Sequence, residues 1–303
     1  MPSTGAGAGG SAAESCRGES HERWNAAPEG AGRCLQHAHP LLRQRGPLPA
    51  GAERDVPAAA GSRVADYRKV QARLGLERVV VIQPSAYGTD NRCTMDAVAE
   101  LGPDSARAVV GVNQSADDDL LQCLTDGGAR GIRFHMVPGG ALPWEILEEM
   151  AARVHPFGWH VQLQCSGHLL PEREAMLKRL PGRLVIDHVG RFMDPVPPDH
   201  EAFRCLLRLI DGGRTWVKLS APYESAKSGP PGYEDVSVLA RALAKAAPER
   251  MLWATNWPHP GQKDPQVWDD ALALDLLLDW SPDEATRTRI LVDNPAALYG
   301  FES

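Results

Sequence analysis

Met251-Leu-Trp-Ala-Thr-Asn-Trp-Pro-His259 reads as a short buried strand, apolar from Met251 to Ala254, that runs into polar residues and stops at Pro258. Proline has no amide hydrogen for a sheet ladder, so the strand cannot continue through it. The polar side chains therefore gather at the carboxyl end of the strand. In parallel α/β proteins that end carries ligands, because the loops leaving the strands are free to vary while the strands hold them in place. Asn256 and His259 are thus site candidates, set against the plainer reading that Asn256 ties a turn and His259 caps a loop.

Upstream of this stretch the chain alternates. Strand-like runs are Arg78 to Gln83, Ala108 to Asn113, Gly131 to His135, His160 to Gln164, Arg183 to His188, Thr215 to Ser220 and Met251 to Asn256. Helical patterns run from Val64 to Leu74 and near Asp117 to Leu124, Trp144 to Val154, Glu172 to Leu180, Glu201 to Ile210, Val236 to Ala246 and Gln266 to Trp280. The strands are nearly continuous apolar runs, as expected when both faces are covered. One more strand upstream of Val64 would make eight, and residues 64–303 then fit a (β/α)8 TIM-like barrel, with the first strand the uncertain unit. An open doubly wound sheet fits less well, for its first strand usually carries a Gly-rich phosphate turn, which is not found. A last helix, Pro282 to Val292, and the tail Asn294 to Phe301 are expected to close the outer layer.

Residues 1–63 do not match this pattern. They contain no Ile, Phe or Tyr and only one Val, and Ala, Gly, Pro and Arg dominate. Such a segment buries too little apolar surface to offset its ordering entropy, so it is expected to be poorly ordered or out of frame. The out-of-frame reading comes from the genetic code: with suitable third bases, a one-base shift of the codons for His37-Ala-His-Pro40 reads Met-His-Ile, a better strand end. Taken at face value, His37 and His39 form an HxH pair. On a strand they would point the same way, as in metal hydrolases that begin their ligand set there. Pro40 and a poor preceding strand argue against it.

The totals exclude some functions. A chain of 303 residues with 43% hydrophobic content and a formal charge of -7 is globular. It offers no general basic face for nucleic acid or an anionic membrane. No run approaches a membrane span, and the N-terminus lacks the basic-then-apolar pattern of a signal peptide. Six cysteines, at 16, 34, 93, 123, 165 and 205, form no CxxC pair, so they are expected to be reduced thiols of a cytoplasmic protein.

Each strand ends on something polar: Gln83, Ser85 and Tyr87 after the first run, then Asn113, Arg133 with His135, Gln162 with Gln164, Asp187-His188 with Arg191, Lys218 with Ser220 and Tyr223, and Asn256. Any single one is more often a satisfied structural residue. Seven strands ending alike point to a pocket. Strand alternation puts Gln162 with Gln164, Arg133 with His135 and Lys218 with Ser220 on the inner face; if His188 also faces in, Asp187 points to the helices. Arg133, Lys218 and Arg191 would favour an anion such as a carboxylate. A metal hydrolase would need several His and a carboxylate, whereas the fifth strand of the barrel ends in Gln164 and the eighth in Asn256, which leaves His188 and His135. No cofactor is expected; a divalent-metal enzyme using His37, His39 and His188 is the alternative.

In this order and spacing the motifs QPSAYGTDN (Gln83 to Asn91), GARGIRF (Gly128 to Phe134), VIDHVGR (Val185 to Arg191), VKLSAPY (Val217 to Tyr223), NWPHP (Asn256 to Pro260) and NPAALYGF (Asn294 to Phe301) resemble one family. It is the metal-independent branch of the amidohydrolase superfamily typified by 2-pyrone-4,6-dicarboxylate hydrolases, with sugar-lactone isomerases among its relatives. The resemblance runs from Val64 to the C-terminus. It implies a barrel that opens or rearranges carboxylated lactones. In it Arg133 would hold a substrate carboxylate, His188 and Arg191 would polarise or hold the lactone, and the position of Asn256, usually Asp, would supply the general base. Ser85, Tyr87, Gln162, Gln164, Lys218, Tyr223 and His259 complete the expected substrate-binding set.

Three departures stand out. A second Arg expected shortly after the RF motif is absent, with Pro138, Gly139 and Gly140 there instead, and the first-strand histidines are not clearly present. Asn256 itself has no titratable base, since an amide offers only a carbonyl acceptor and N–H donors. Hydrolysis by the usual route lacks its base, whereas an intramolecular lactone isomerisation needs less help because its nucleophile is already held. The expected function is a cytoplasmic lactone hydrolase acting on a small carboxylated lactone. A sugar-acid lactone isomerase and a catalytically inactive binding protein are the other readings.

Overall fold

A computed structural model of the chain describes residues 63–136, 140–260, 262 and 268–301. His37, His39 and the composition-poor N-terminal stretch up to residue 62 lie outside the described residues, as do Pro138 and Gly139.

Seven strands form one sheet in the order of the chain: β1 (Val79–Ile82), β2 (Ala106–Val110), β3 (Ala129–His135), β4 (His160–Gln164), β5 (Leu184–Ile186), β6 (Thr215–Leu219) and β7 (Met251–Trp253). Every neighbouring pair is parallel. Parallel neighbours require a crossover, and the helices supply it. They are α1 (Val64–Leu74), α2 (Arg92–Leu101), α3 (Asp118–Asp126), α4 (Leu147–Val154), α5 (Leu170–Arg179), α6 (Glu201–Asp211), α7 (Glu234–Ala246), α8 (Asp270–Trp280), α9 (Glu284–Thr288) and α10 (Asn294–Tyr299). Helix α1 ends as its sequence suggests, at Gly75 with a left-handed φ of 68° and its amide on the Gln71 carbonyl. Helix α2 is an addition to the sequence reading, although Thr94, Ala97 and Val98 do recur at helical spacing and are buried.

Alternation along the strands separates two apolar layers. Val81, Ile132, Leu163, Ile186, Val217 and Met251 pack with helix residues such as Leu121, Met150, Leu170, Phe203 and Leu243. Ile82, Val109, Val185, Trp216 and Leu252 form a second cluster with Leu298, Tyr299 and Phe301. Ile82 belongs to one edge strand and Leu252 to the other, so their shared cluster lies on a concave face and the sheet is curled. The described barrel thus has seven strands, with β1 and β7 as its edges.

The C-terminal tail departs from expectation. It fills the concave face instead of closing the outer layer. Asn294 Nδ2 donates to the carbonyls of Pro248 (2.8 Å) and Met251 (2.7 Å), and Arg107 Nη2 donates to the Gly300 carbonyl at 2.8 Å. Arg107 also lies over the Phe301 ring, 4.6 Å from its centroid. The NPAALYGF motif is therefore a plug that seats apolar side chains under the site. His160, buried against Tyr299 with ring centroids 5.4 Å apart, shares this layer.

Candidate active site

The strand carboxyl ends hold two contiguous groups of polar side chains. The first is the floor. Arg133, buried on β3, donates from Nη1 to the Gln83 carbonyl (2.6 Å) and from Nη2 to Gln164 Oε1 (2.7 Å). On the next strand Gln162 Nε2 donates to Asp187 Oδ2 at 3.0 Å, and Lys218 Nζ lies 3.3 Å from Asp187 Oδ1. Burial lowers the pKa of Arg133 and of Lys218, opposed by the negative charge of Asp187. Burial would raise Asp187, but Lys218, His188 and Arg133 outweigh it and hold its carboxyl below the usual value. Asp187 is therefore ionised and inward-facing.

That placement corrects the alternation expected at this strand. Leu184 and Ile186 join the helix-facing core and Val185 the concave cluster, so Asp187 continues the inner row. His188 enters the site by a different route. The backbone turns left-handed at His188 (φ 55°), Val189 (φ 55°) and Arg191 (φ 49°), which ends the alternation. For a β-branched residue such as Val189 that conformation costs on the order of 1–3 kcal/mol, and such strain collects where function over-determines the backbone. Asn256 (φ 57°) and His259 (φ 63°) share it.

The second group is the rim. His188 Nδ1 lies 2.9 Å from Ser220 Oγ, and its Nε2 lies 3.6 Å from Glu224 Oε1. A carboxylate beside Nε2 favours the proton on that nitrogen, which leaves Nδ1 to accept from the Ser220 hydroxyl. Arg191 Nε donates to Glu224 Oε2 at 2.9 Å. Asn256 Nδ2 donates to the Tyr223 hydroxyl (2.7 Å) and lies 3.4 Å from Glu224 Oε1. Because a carboxylate only accepts, this fixes the amide orientation. Asn256 Oδ1, buried, receives no hydrogen bond from the described residues. Burial, then the charge of Glu224, raises the Tyr223 hydroxyl well above its ordinary pKa, so it stays neutral while accepting from Asn256.

Of the expected site residues, Arg133, Gln162, Gln164 and Lys218 thus meet in the floor, and His188, Arg191, Tyr223 and Asn256 meet in the rim. Ser85 lines a small cavity with Gln83, Arg133, His135 and Leu142. Tyr87 closes the single turn Ser85–Tyr87 after β1. His259 stands at the edge: its Nε2 lies 3.1 Å from Asp270 Oδ2, and its ring centroid is 6.3 Å from that of Tyr223. Among the described residues no three His, Cys, Asp or Glu side chains are grouped to hold a metal. The larger surface pocket, with Arg183, Arg214, Trp216 and Arg250, opens at the amino ends of the strands, away from this chemistry.

Glu224 is the member that the sequence reading missed. It follows Tyr223 in a loop after β6, where a glutamate ordinarily reads as solvated surface. Yet its side chain is only 7% exposed and lies against Arg191, His188 and Asn256. The signal available was a charged residue inside VKLSAPYE, directly after a strand end already rich in polar groups.

Comparison with known proteins comes to the same architecture. A family model described as amidohydrolase matches residues 34–301. The D-galactarolactone isomerase of Agrobacterium fabrum is 38% identical over 235 residues, 77% of this chain and 80% of the relative. A 2-pyrone-4,6-dicarboxylate hydrolase of Comamonas testosteroni is 36% identical over 236 residues, 75% of this chain and 77% of its own length. An apo crystal structure from Agrobacterium tumefaciens superposes with a TM-score of 0.80 at 35% identity, covering 92% of this chain and 96% of that one.

Proposed function

The chain belongs to the amidohydrolase family, and on that premise we propose that it hydrolyses a small carboxylated lactone. The observation that carries this reading is the convergence of Arg133, Lys218 and Arg191 with Asp187 and Glu224 at the strand carboxyl ends. Three cations against two carboxylates leave this cluster one positive charge in excess, which suits one substrate carboxylate better than two. His188, with Nε2 3.6 Å from Glu224 Oε1, would polarise the lactone carbonyl or protonate the departing ring oxygen. Ser85, Gln162, Gln164, Tyr223 and His259 would shape the pocket around the ring, with Tyr87 on the loop above it.

Isomerisation is the second reading, favoured by Asn256. An amide there orients a nucleophile without deprotonating it, which is enough when the nucleophile is a hydroxyl of the bound lactone itself. The similarity to a galactarolactone isomerase supports it too.

The eighth strand belongs to this reading as well. Among the described residues β1 and β7 each pair on one side only, and the family match begins at residue 34, ahead of α1. A strand from that stretch would close the barrel between the two edges. Deleting residues 1–62 should then lower the midpoint of thermal unfolding; an unchanged midpoint would remove the strand from that segment.

The test of function is a pH-indicator assay beside proton NMR on galactarolactone and 2-pyrone-4,6-dicarboxylate, with protein purified without added metal. Acid release with loss of the lactone signals is the expected outcome. Binding without turnover at high protein concentration would mark an inactive relative.

A further inference from the structure

We propose that Glu224 is the proton acceptor of the reaction, in place of the residue at position 256, and that Asn256 positions the nucleophile between them. The inference rests on the lactone reading above.

Three observations carry it. Glu224 is a carboxylate on the rim with its side chain 7% exposed, a burial that a loop glutamate does not reach without a reason. Among its contacts are two of different kinds, Arg191 Nε on Oε2 at 2.9 Å and Asn256 Nδ2 near Oε1 at 3.4 Å. That arrangement fixes the carboxylate with Oε1 3.6 Å from His188 Nε2. The third observation is Asn256 Oδ1, an acceptor buried without a donor among the described residues. A water between Asn256 Oδ1 and Glu224 Oε1 would give one proton to each acceptor. Its lone pair is then aimed at a carbonyl polarised by His188. Asn256 thus contributes geometry and Glu224 contributes basicity, a division that lets an amide stand where a base would otherwise be needed.

The step balances. The water oxygen adds to the lactone carbonyl carbon as its proton passes to Glu224 Oε1, and the carbonyl π electrons move onto oxygen. Collapse of that tetrahedral intermediate breaks the bond to the ring oxygen. The ring oxygen takes the proton back from Glu224, through His188 or directly, and the product is the hydroxy acid. Among the described residues the titratable and charged groups around Glu224 include His188 and Arg191 from the end of β5, Tyr223 beside it in sequence, and Arg133 from β3, whose pKa feels its charge.

The experiment compares wild type, Glu224→Gln, Glu224→Asp and the double variant Glu224→Gln with Asn256→Asp on galactarolactone and 2-pyrone-4,6-dicarboxylate, recording kcat, KM and the pH profile. Gln keeps an oxygen to accept from Arg191, so a purely structural role would survive it. Expected is a fall in kcat of about 100-fold or more with KM nearly unchanged, the loss expected for a general base, and with the acid limb of the profile gone. Glu224→Asp should retain that limb, and the double variant should recover kcat because a carboxylate returns next to the same water. Wild-type turnover with kcat and the acid limb preserved in Glu224→Gln would overturn the role of Glu224 and leave the lactone reading standing. Absence of wild-type turnover on both lactones would overturn the lactone reading, and this role with it.

Discussion

Arg133 is a candidate substrate-binding side chain that also ties the fold together. Its guanidinium ties the end of β1 to Gln164 through hydrogen bonds of 2.6 and 2.7 Å, and its charge sits at the floor of the pocket. The sequence reading assigned it to the substrate alone. Arg133→Ala should therefore raise KM at least about 10-fold, since an ion-paired carboxylate loses a charge-assisted partner. It should also destabilise the fold by about 1–3 kcal/mol, because two buried acceptors lose their donor. Steady-state kinetics with urea unfolding measures both; a large loss of stability with unchanged kinetics would confine Arg133 to structure. Legible from sequence were the inward positions that strand alternation gives Arg133, Gln164 and Lys218, and the strand-end places of His188 and Asn256, though not the left-handed backbone of the last two. Glu224 was not, because loop residues carry no period and its burial depends on Arg191, 33 positions away.

Elements were easier to read than their endings. The strand β4 and the helix α1 match the periodic pattern from end to end, since both follow one apolar repeat between clear stops. The β5 end does not: alternation runs through Asp187 and turns it inward, and left-handed backbone at His188 and Val189 then breaks the rule that set the two neighbours on opposite faces. Helix α2 was hidden by its short apolar stripe after a polar loop. The tail was misplaced because its apolar residues suit an outer layer as well as an inner one. What decides is Asn294, whose amide takes the Pro248 and Met251 carbonyls at the foot of β7. Asn294→Ala should cost about 1–3 kcal/mol by leaving a buried carbonyl unsatisfied. Hydrogen exchange should quicken first in β7 and the tail; uniform exchange across the sheet would contradict this anchoring.

At the scale of the molecule the concave face stacks two layers: the plug of Leu298, Tyr299 and Phe301 with the buried His160 beside it, and the charged floor above. Burial, then the charge of Lys218, pushes His160 down to about 3. A depressed pKa means that the unfolded chain binds the proton first. Stability from this group is complete above the unfolded value near 6.5 and is lost as pH falls from there toward about 3. Within that window the free energy of unfolding should fall by up to ~1.4 kcal/mol per pH unit, one proton's worth. In His160→Phe the slope should flatten by that amount; an unchanged slope would place the proton uptake elsewhere. A formal charge of -7 over the whole chain makes the positive excess at the strand ends a local feature. No helix among the described residues is long and apolar enough to cross a membrane. The most direct measurement is turnover of a carboxylated lactone in H2(18)O, followed by mass spectrometry of the product. A hydroxy acid carrying one solvent oxygen in its new carboxylate is the predicted result, and a lactone that is recovered unchanged, or rearranged without the label, would contradict hydrolysis at this site.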